Sequence, residues 1–108
     1  LAVLATSYCD RGHTADGTAV STGVIAVDPR VIRLGTRLRI VFAYRSLPPG
    51  ARNVAQQFAR PAAAHDTGGS IHGARIDIWT PVCADAIAWG VRVVHIQPLR
   101  SARGSPLV

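Results

Sequence analysis

Turn signals cut this 108-residue chain into apolar runs too short for anything but strands, with one exception near the C-terminus. Ten glycines and seven prolines punctuate the chain, which carries the runs AVLATSY, TGVIAV, TRLRIVFAY, ARIDIWT and VRVVHI. These runs favour small and β-branched residues, and in the clearest of them Leu38 and Ile40 alternate with Arg37 and Arg39. We therefore read strands at Ala2 to Tyr8, Thr22 to Val27, Thr36 to Tyr44, Ala74 to Thr80 and Val91 to Ile96. The exception is VCADAIAW, which follows Thr80-Pro81, a cap and first-turn pair, and ends at Gly90. Its spacing predicts a helix with Val82, Ala86 and Trp89 on one side. Asp28-Pro29 carries the same signal for one helical turn that Gly35 closes.

The remaining segments are less determined. RSLPPGARN reads as a loop from its Pro-Pro-Gly, and VAQQFARPAAAH fits either a strand pair or a short helix ended by Pro61. The pattern predicts one mainly β domain over residues 1–108, a compact barrel with few helices around a single core. Its core runs from about residue 5 to residue 99, and RSARGSPLV forms a loose tail. No apolar run approaches the roughly 18 residues of a membrane span. The chain opens LAVLATSY and contains no methionine, so we expect a mature domain or a piece of a longer precursor.

All twelve basic residues are arginine and all six acidic ones are aspartate, for a net charge of +6 with neutral histidines. The arginines are scattered and lack aromatic neighbours for base stacking, so nucleic acid is not an expected partner. An envelope polymer carrying carboxylates suits the charge. Cys9 and Cys83 lie near opposite ends, and the residues alone leave open one long-range disulfide or two buried thiols.

Among the acids, Asp77 stands out. It lies between Ile76 and Ile78 with Trp79 next, where lost hydration raises a carboxyl pKa toward the range of a general acid. Asp66 precedes a glycine-rich turn in HDTGGSIHG, where it reads either as a site residue or as an ordinary Asx-turn. Gly68 and Gly69 serve that turn or let a sugar approach. Trp79 is a stacking platform or a core residue. For Asp77 the competing reading is a structural pair with an arginine.

Taken together, SYC, TADGT, GVIAVDPRVIRLGT, DTGGSIHGARIDIW and CADAIAWGVRVVHI resemble the 3D domain, named for three aspartates. That domain is similar to the catalytic core of the MltA lytic transglycosylases. The resemblance covers roughly Ala5 to Leu99 and rests on the joint order of AVDP, DTGG and RIDIW. It implies a six-stranded double-psi β-barrel with one or two short helices, related in shape to expansins and RlpA-like proteins. It also implies an exported protein of the cell envelope acting on peptidoglycan glycan strands, with no cofactor and no metal. The three aspartates correspond to Asp28, Asp66 and Asp77, the last as catalytic acid, with Thr14 as a substrate contact. The chain departs from the pattern at Arg33, where proline is common, and at Asp16, where a small or hydroxyl residue is usual. Lysine is common at the position of His72, which puts a substrate contact from that residue in question. The segment 43–64 is longer than in many relatives and reads as a lid, a specificity loop or a neutral insertion.

The activity so implied is cleavage between N-acetylmuramic acid and N-acetylglucosamine, with the sugar's C6 hydroxyl closing on the anomeric carbon. One acid/base carboxyl suffices, unlike the two of glycoside hydrolases. Asp77 is expected to make both proton transfers. Asp66 is expected to hold its proton or stabilise the anomeric cation, the two acids titrating together, and Asp28 to orient a loop or the saccharide. The rival from another class is a non-catalytic glycan-binding module, since fold does not establish activity. A metal site from His13, His65, Asp66 and His72 matches no standard zinc spacing. Glycan length preference, endo or exo action, partner domains and oligomeric state are not encoded in any recognisable feature.

Overall fold

The computed structural model describes residues 1–43 and 46–99. Six strands form a sheet that closes on itself. They are β1 (Ala2–Tyr8), β2 (Val24–Val27), β3 (Arg37–Val41), β4 (Ala62–Asp66), β5 (Arg75–Trp79) and β6 (Arg92–Pro98). Their order around the ring is β1-β5-β2-β4-β3-β6, so every strand has two partners and no edge is left open. The β1–β5 and β2–β4 pairs are parallel and the other four antiparallel.

Alternation decides which side chains fill the ring. Ile76 and Ile78 of β5 meet Ile25, Val27, Leu38, Ile40, Val94 and Ile96 in one buried core. The intervening residues Arg75, Asp77 and Trp79 share the opposite face of β5, as the sequence predicts. On that outer face Val24, Ala26, Ile71 and Trp79 are also buried, beneath the loops that frame the site.

Two helices pack together at one end of the ring. α2 (Cys83–Trp89) begins later than Thr80-Pro81 suggests, with Val82 at its cap, and ends at Gly90 with φ +65°. Val82 lies exposed at 49%, so only Ala86 and Trp89 of the expected stripe are buried. Trp89 is fully buried and its indole N–H donates to the Ala5 carbonyl at 3.0 Å. Phe42 and Phe58 meet its ring edge-on.

The loop expected at RSLPPGARN is instead largely helix. α1 (Pro49–Ala55) places a proline at its start, where the fixed φ suits a helix and no N–H is needed. Tertiary packing overrides the turn chemistry here. A Cβ on Gly50 would stand 2.8 Å from the Ala88 Cβ, so only glycine lets α1 approach α2 this closely. Ala51, Val54 and Ala55 fill the inner face of α1, and a 3-10 turn, Gln56–Ala59, carries the chain to Pro61 and β4. That resolves the undetermined 54–65 segment into helix, 3-10 turn and strand.

Smaller differences lie at strand ends. The strand expected to reach Tyr44 stops at Val41, with Tyr44 outside the described residues, as is the 100–108 tail. β6 runs on to Pro98. After Asp28 the chain makes the single expected helical turn: the amides of Val31 and Ile32 both bond the Asp28 carbonyl, and its side chain caps the turn by accepting the Arg30 amide. Cys9 and Cys83 form a disulfide with Cα atoms 5.2 Å apart, which settles the choice the sequence left open.

Candidate active site

Strand register brings two of the three aspartates to a common floor. Ala26 of β2 pairs with Asp77 of β5 on one side and with Asp66 of β4 on the other. A register shift between Ile25 and Ala26 makes this possible, because Ile25 faces Ala64 and Ala26 faces Asp66, passing over His65. The two carboxylates thus rise from backbones two strand spacings apart, roughly 10 Å. The small side chain of Ala26 leaves a cleft between them. Tyr8, Val20, Thr67 and Gly68 line it with both aspartates, and its volume is about 320 Å³. Asp10, Arg11 and His13 close it from the loop after β1.

Each carboxylate has its own partners. Asp77 Oδ1 accepts a hydrogen bond from the Thr6 hydroxyl at 2.9 Å, which the parallel pairing Thr6↔Asp77 sets up. That is the only hydrogen bond of the Asp77 side chain among the described residues. Burial pushes the Asp77 carboxyl up from its ordinary value, against the Thr6 hydrogen bond and the Arg75 charge, and with help from Asp10 and Asp66. Among the described residues no arginine forms an ion pair with Asp77, although Arg75 lies near enough to act through its charge. Its Nε is buried without a partner.

Asp66 is fixed by three hydrogen bonds. Its Oδ1 accepts from the amides of Ala15 and Thr67, at 3.0 and 2.9 Å, and its Oδ2 from the Tyr8 hydroxyl at 3.0 Å. Among the described residues the amide two positions on, that of Gly68, does not bond this side chain, so the Asx-turn reading does not describe it, and the carboxylate lines the cleft. Burial, then the bond to Asp66, pushes the Tyr8 phenol far above its ordinary value, so Tyr8 stays a donor. No hydrogen bond joins Asp66 to Asp77 among the described residues, which leaves Asp66 no direct hold on the Asp77 proton.

Of the other expected site residues Gly68 lines the cleft and the rest lie around it. Asp28 is 3% exposed, and its carboxylate binds the Arg30 guanidinium and accepts from the Gly73 amide at 2.8 Å. Those bonds, Arg30 first, hold its carboxyl well below the usual range. It ties down the end of the 68–73 loop and does not line the cleft. The Thr14 hydroxyl donates to Asp16 at 2.8 Å, and Thr14 does not line the cleft. Trp79 is 4% exposed and its indole N–H donates to the Asp10 carbonyl at 2.7 Å, so it pins the cleft wall and offers no stacking face. His72 is exposed and bound to the Gly69 carbonyl at 2.7 Å, with neither residue lining the cleft. Gly68 does line it, and a Cβ there would stand 2.8 Å from Ile71. Among the described residues no three histidine, cysteine or acidic side chains gather as metal ligands.

Tyr8 and Thr6 are the residues that sequence reasoning missed. Tyr8 stands in the SYC motif, next to the disulfide, and that neighbourhood was its only signal. Asp16 also has a use, since His65 Nδ1 lies 2.5 Å from its Oδ2 and its Oδ1 receives the Thr18 amide. Hydrogen bonds from Thr18, then His65, hold the Asp16 carboxyl well below the ordinary range. The pair clamps the 14–18 turn to β4 beside Asp66.

Residues 23–99 match the 3D domain family. The chain belongs to that family. This 3D domain is 34% identical over 108 residues to the cell wall-binding protein YocH of Bacillus subtilis, covering 92% of the chain and 32% of that protein. It is also 34% identical over 93 residues to the putative cell wall shaping protein YabE of the same organism, covering 82% of the chain and 19% of that protein. It therefore spans about a third or less of these relatives. MltA from Escherichia coli shares the fold, with a TM-score of 0.56 at 22% identity over 83% of the chain and 28% of MltA. A structure of MltA with bound chitohexaose superposes equally well, with a TM-score of 0.56 at 21% identity over 82% of the chain and 28% of MltA.

Chemically, the cleft of the 3D domain offers the buried carboxyl of Asp77, the hydrogen-bonded carboxyl of Asp66 and the Tyr8 phenol, with Asp10, Arg11 and His13 at its border. That set can protonate a leaving oxygen and stabilise positive charge nearby.

Proposed function

We propose that this 3D domain is a peptidoglycan lytic transglycosylase with Asp77 as its acid and base. The observation that carries the reading is the buried Asp77 carboxyl at the cleft floor, its pKa raised and one oxygen tied to Thr6. With a muramyl bond in the cleft, the Asp77 acid protonates the glycosidic oxygen as the bond to the anomeric carbon breaks. The C6 hydroxyl then attacks that carbon and gives its proton to the Asp77 carboxylate. A 1,6-anhydro end forms, no water is consumed, and Asp77 regains the proton it lost.

Asp66, fixed by Tyr8 and two amides, stabilises the positive charge that develops at the anomeric carbon. Tyr8→Phe removes one charge-assisted hydrogen bond and is expected to lower the initial rate of release from labelled sacculi about tenfold. An unchanged rate would remove Asp66 from this role.

The domain is read as a double-psi barrel, supported by two parallel strand pairs within a closed sheet. It acts in the cell envelope after export, a setting that the disulfide supports. The names of the Bacillus relatives favour a second reading, a module that binds the wall without cutting it. Incubation with purified sacculi separates the two. Soluble muropeptides in the supernatant support the enzyme, whereas protein that sediments with intact sacculi and releases nothing supports the module.

A further inference from the structure

A second opening of about 400 Å³ lies next to the cleft, between the helical segment 49–59 and the turn from β5 to α2. No described residue lines both, but two contacts link their walls. Arg11, which lines the cleft, donates to the carbonyl of Pro81, which lines the second opening. Trp79 bridges them as well, with its indole N–H on Asp10 and its carbonyl accepting from Gln57. The second opening exists because of the 43–64 segment, whose role the sequence left undecided.

Its chemistry differs from that of the cleft. Three side-chain amides, from Asn53, Gln56 and Gln57, face the opening together with the Arg60 guanidinium. The Gln57 nitrogen is fixed on the Trp79 carbonyl at 3.0 Å, which leaves its oxygen as an acceptor. Gln56 and Arg60 make no side-chain hydrogen bond among the described residues. The one carboxylate, Asp85, is engaged by Asn53 at 3.2 Å. Proline rings at positions 61 and 81 supply apolar surface, and none of the lining residues is aromatic. Amides matched to peptide groups and a free guanidinium suit a peptide with a carboxylate, whereas sugar binding favours an aromatic face.

We propose that this opening binds a short peptide carrying a free carboxylate, namely the stem peptide attached to the glycan in the neighbouring cleft. This assignment of the peptide's source rests on the peptidoglycan reading above. Arg60 takes the carboxylate, the amides pair with the peptide backbone, and Asp85 faces the amine of a diamino residue. The 43–64 segment thereby makes the protein select peptide-bearing strands over denuded ones.

Titration of the whole chain with free stem tetrapeptide, followed by NMR, tests this without any cleavage. The side-chain amide signals of Asn53, Gln56 and Gln57 are expected to shift. Arg60→Ala, a surface change that leaves Tm unaltered, is expected to weaken binding about tenfold. Absent shifts, or an affinity unchanged by Arg60→Ala, overturn the proposal. So does an equal response of the same signals to N-acetylglucosamine oligomers, which would make the opening a glycan subsite. Anhydro product without peptide binding overturns this inference alone. Peptide binding without any cleavage leaves it standing and removes the catalytic reading.

Discussion

Asp77→Asn is expected to reduce release of soluble muropeptides by about 10²- to 10⁴-fold, the usual worth of a general acid. The substitution keeps the Oδ1 acceptor for Thr6, so strand pairing and the cleft survive. It removes only the proton. Stability should move the other way. Burial raises the Asp77 pKa, so the folded chain binds this proton more tightly than the unfolded chain. The stability this confers is full below the unfolded pKa and is lost as pH rises through the folded pKa. Above the folded pKa the ionised carboxylate is a cost that asparagine lacks, and there the variant should melt no lower than the wild type. For the same reason wild-type activity should fall as pH rises through the Asp77 pKa. A variant that retains full release, or one that loses release only because it unfolds, contradicts this account.

Loss of the disulfide has the largest expected effect on stability. Cys9 follows Tyr8 at the end of β1, and Cys83 opens α2, 74 residues away in sequence. Closing a loop of that length stabilises the fold by about 4 kcal/mol through the entropy of the unfolded chain. For a domain of this size that corresponds to a fall in Tm of about 15 °C or more in Cys9→Ser/Cys83→Ser. Calorimetry of the double variant under oxidising conditions measures it. A Tm within a few degrees of wild type would mean that the cross-link constrains little. The bridge also tethers the segment that bears Tyr8, Asp10 and Arg11, so release should fall below the temperature at which the variant melts.

Much of this was legible where one face of an element decides its residues. The alternation of Ile76 and Ile78 about Asp77 foretold both β5 and the acid's place outside the core. Gly90 foretold the end of α2. Elsewhere the deciding contact lies far away in sequence. The Pro-Pro-Gly at 48–50 reads as a turn, and only the approach of α2 to Gly50 reveals why it is a helix. Thr6 and Tyr8 look like ordinary strand residues until the pairing with β5 sets Thr6 opposite Asp77 and the Tyr8 hydroxyl reaches across to Asp66 on β4. Asp28 illustrates the converse. A motif drew attention to it, and its bonds to Arg30 and Gly73 make it a loop anchor. Trp79 likewise looked available to a sugar, yet the folded chain buries its ring.

The central claim is that Asp77 drives an intramolecular closure that needs no water. Mass spectrometry of the muropeptides released from purified sacculi measures this directly. The expected products carry 1,6-anhydro-N-acetylmuramic acid ends, with a mass one water below the hydrolytic products. Ordinary reducing ends, or no soluble product from folded protein, would contradict it.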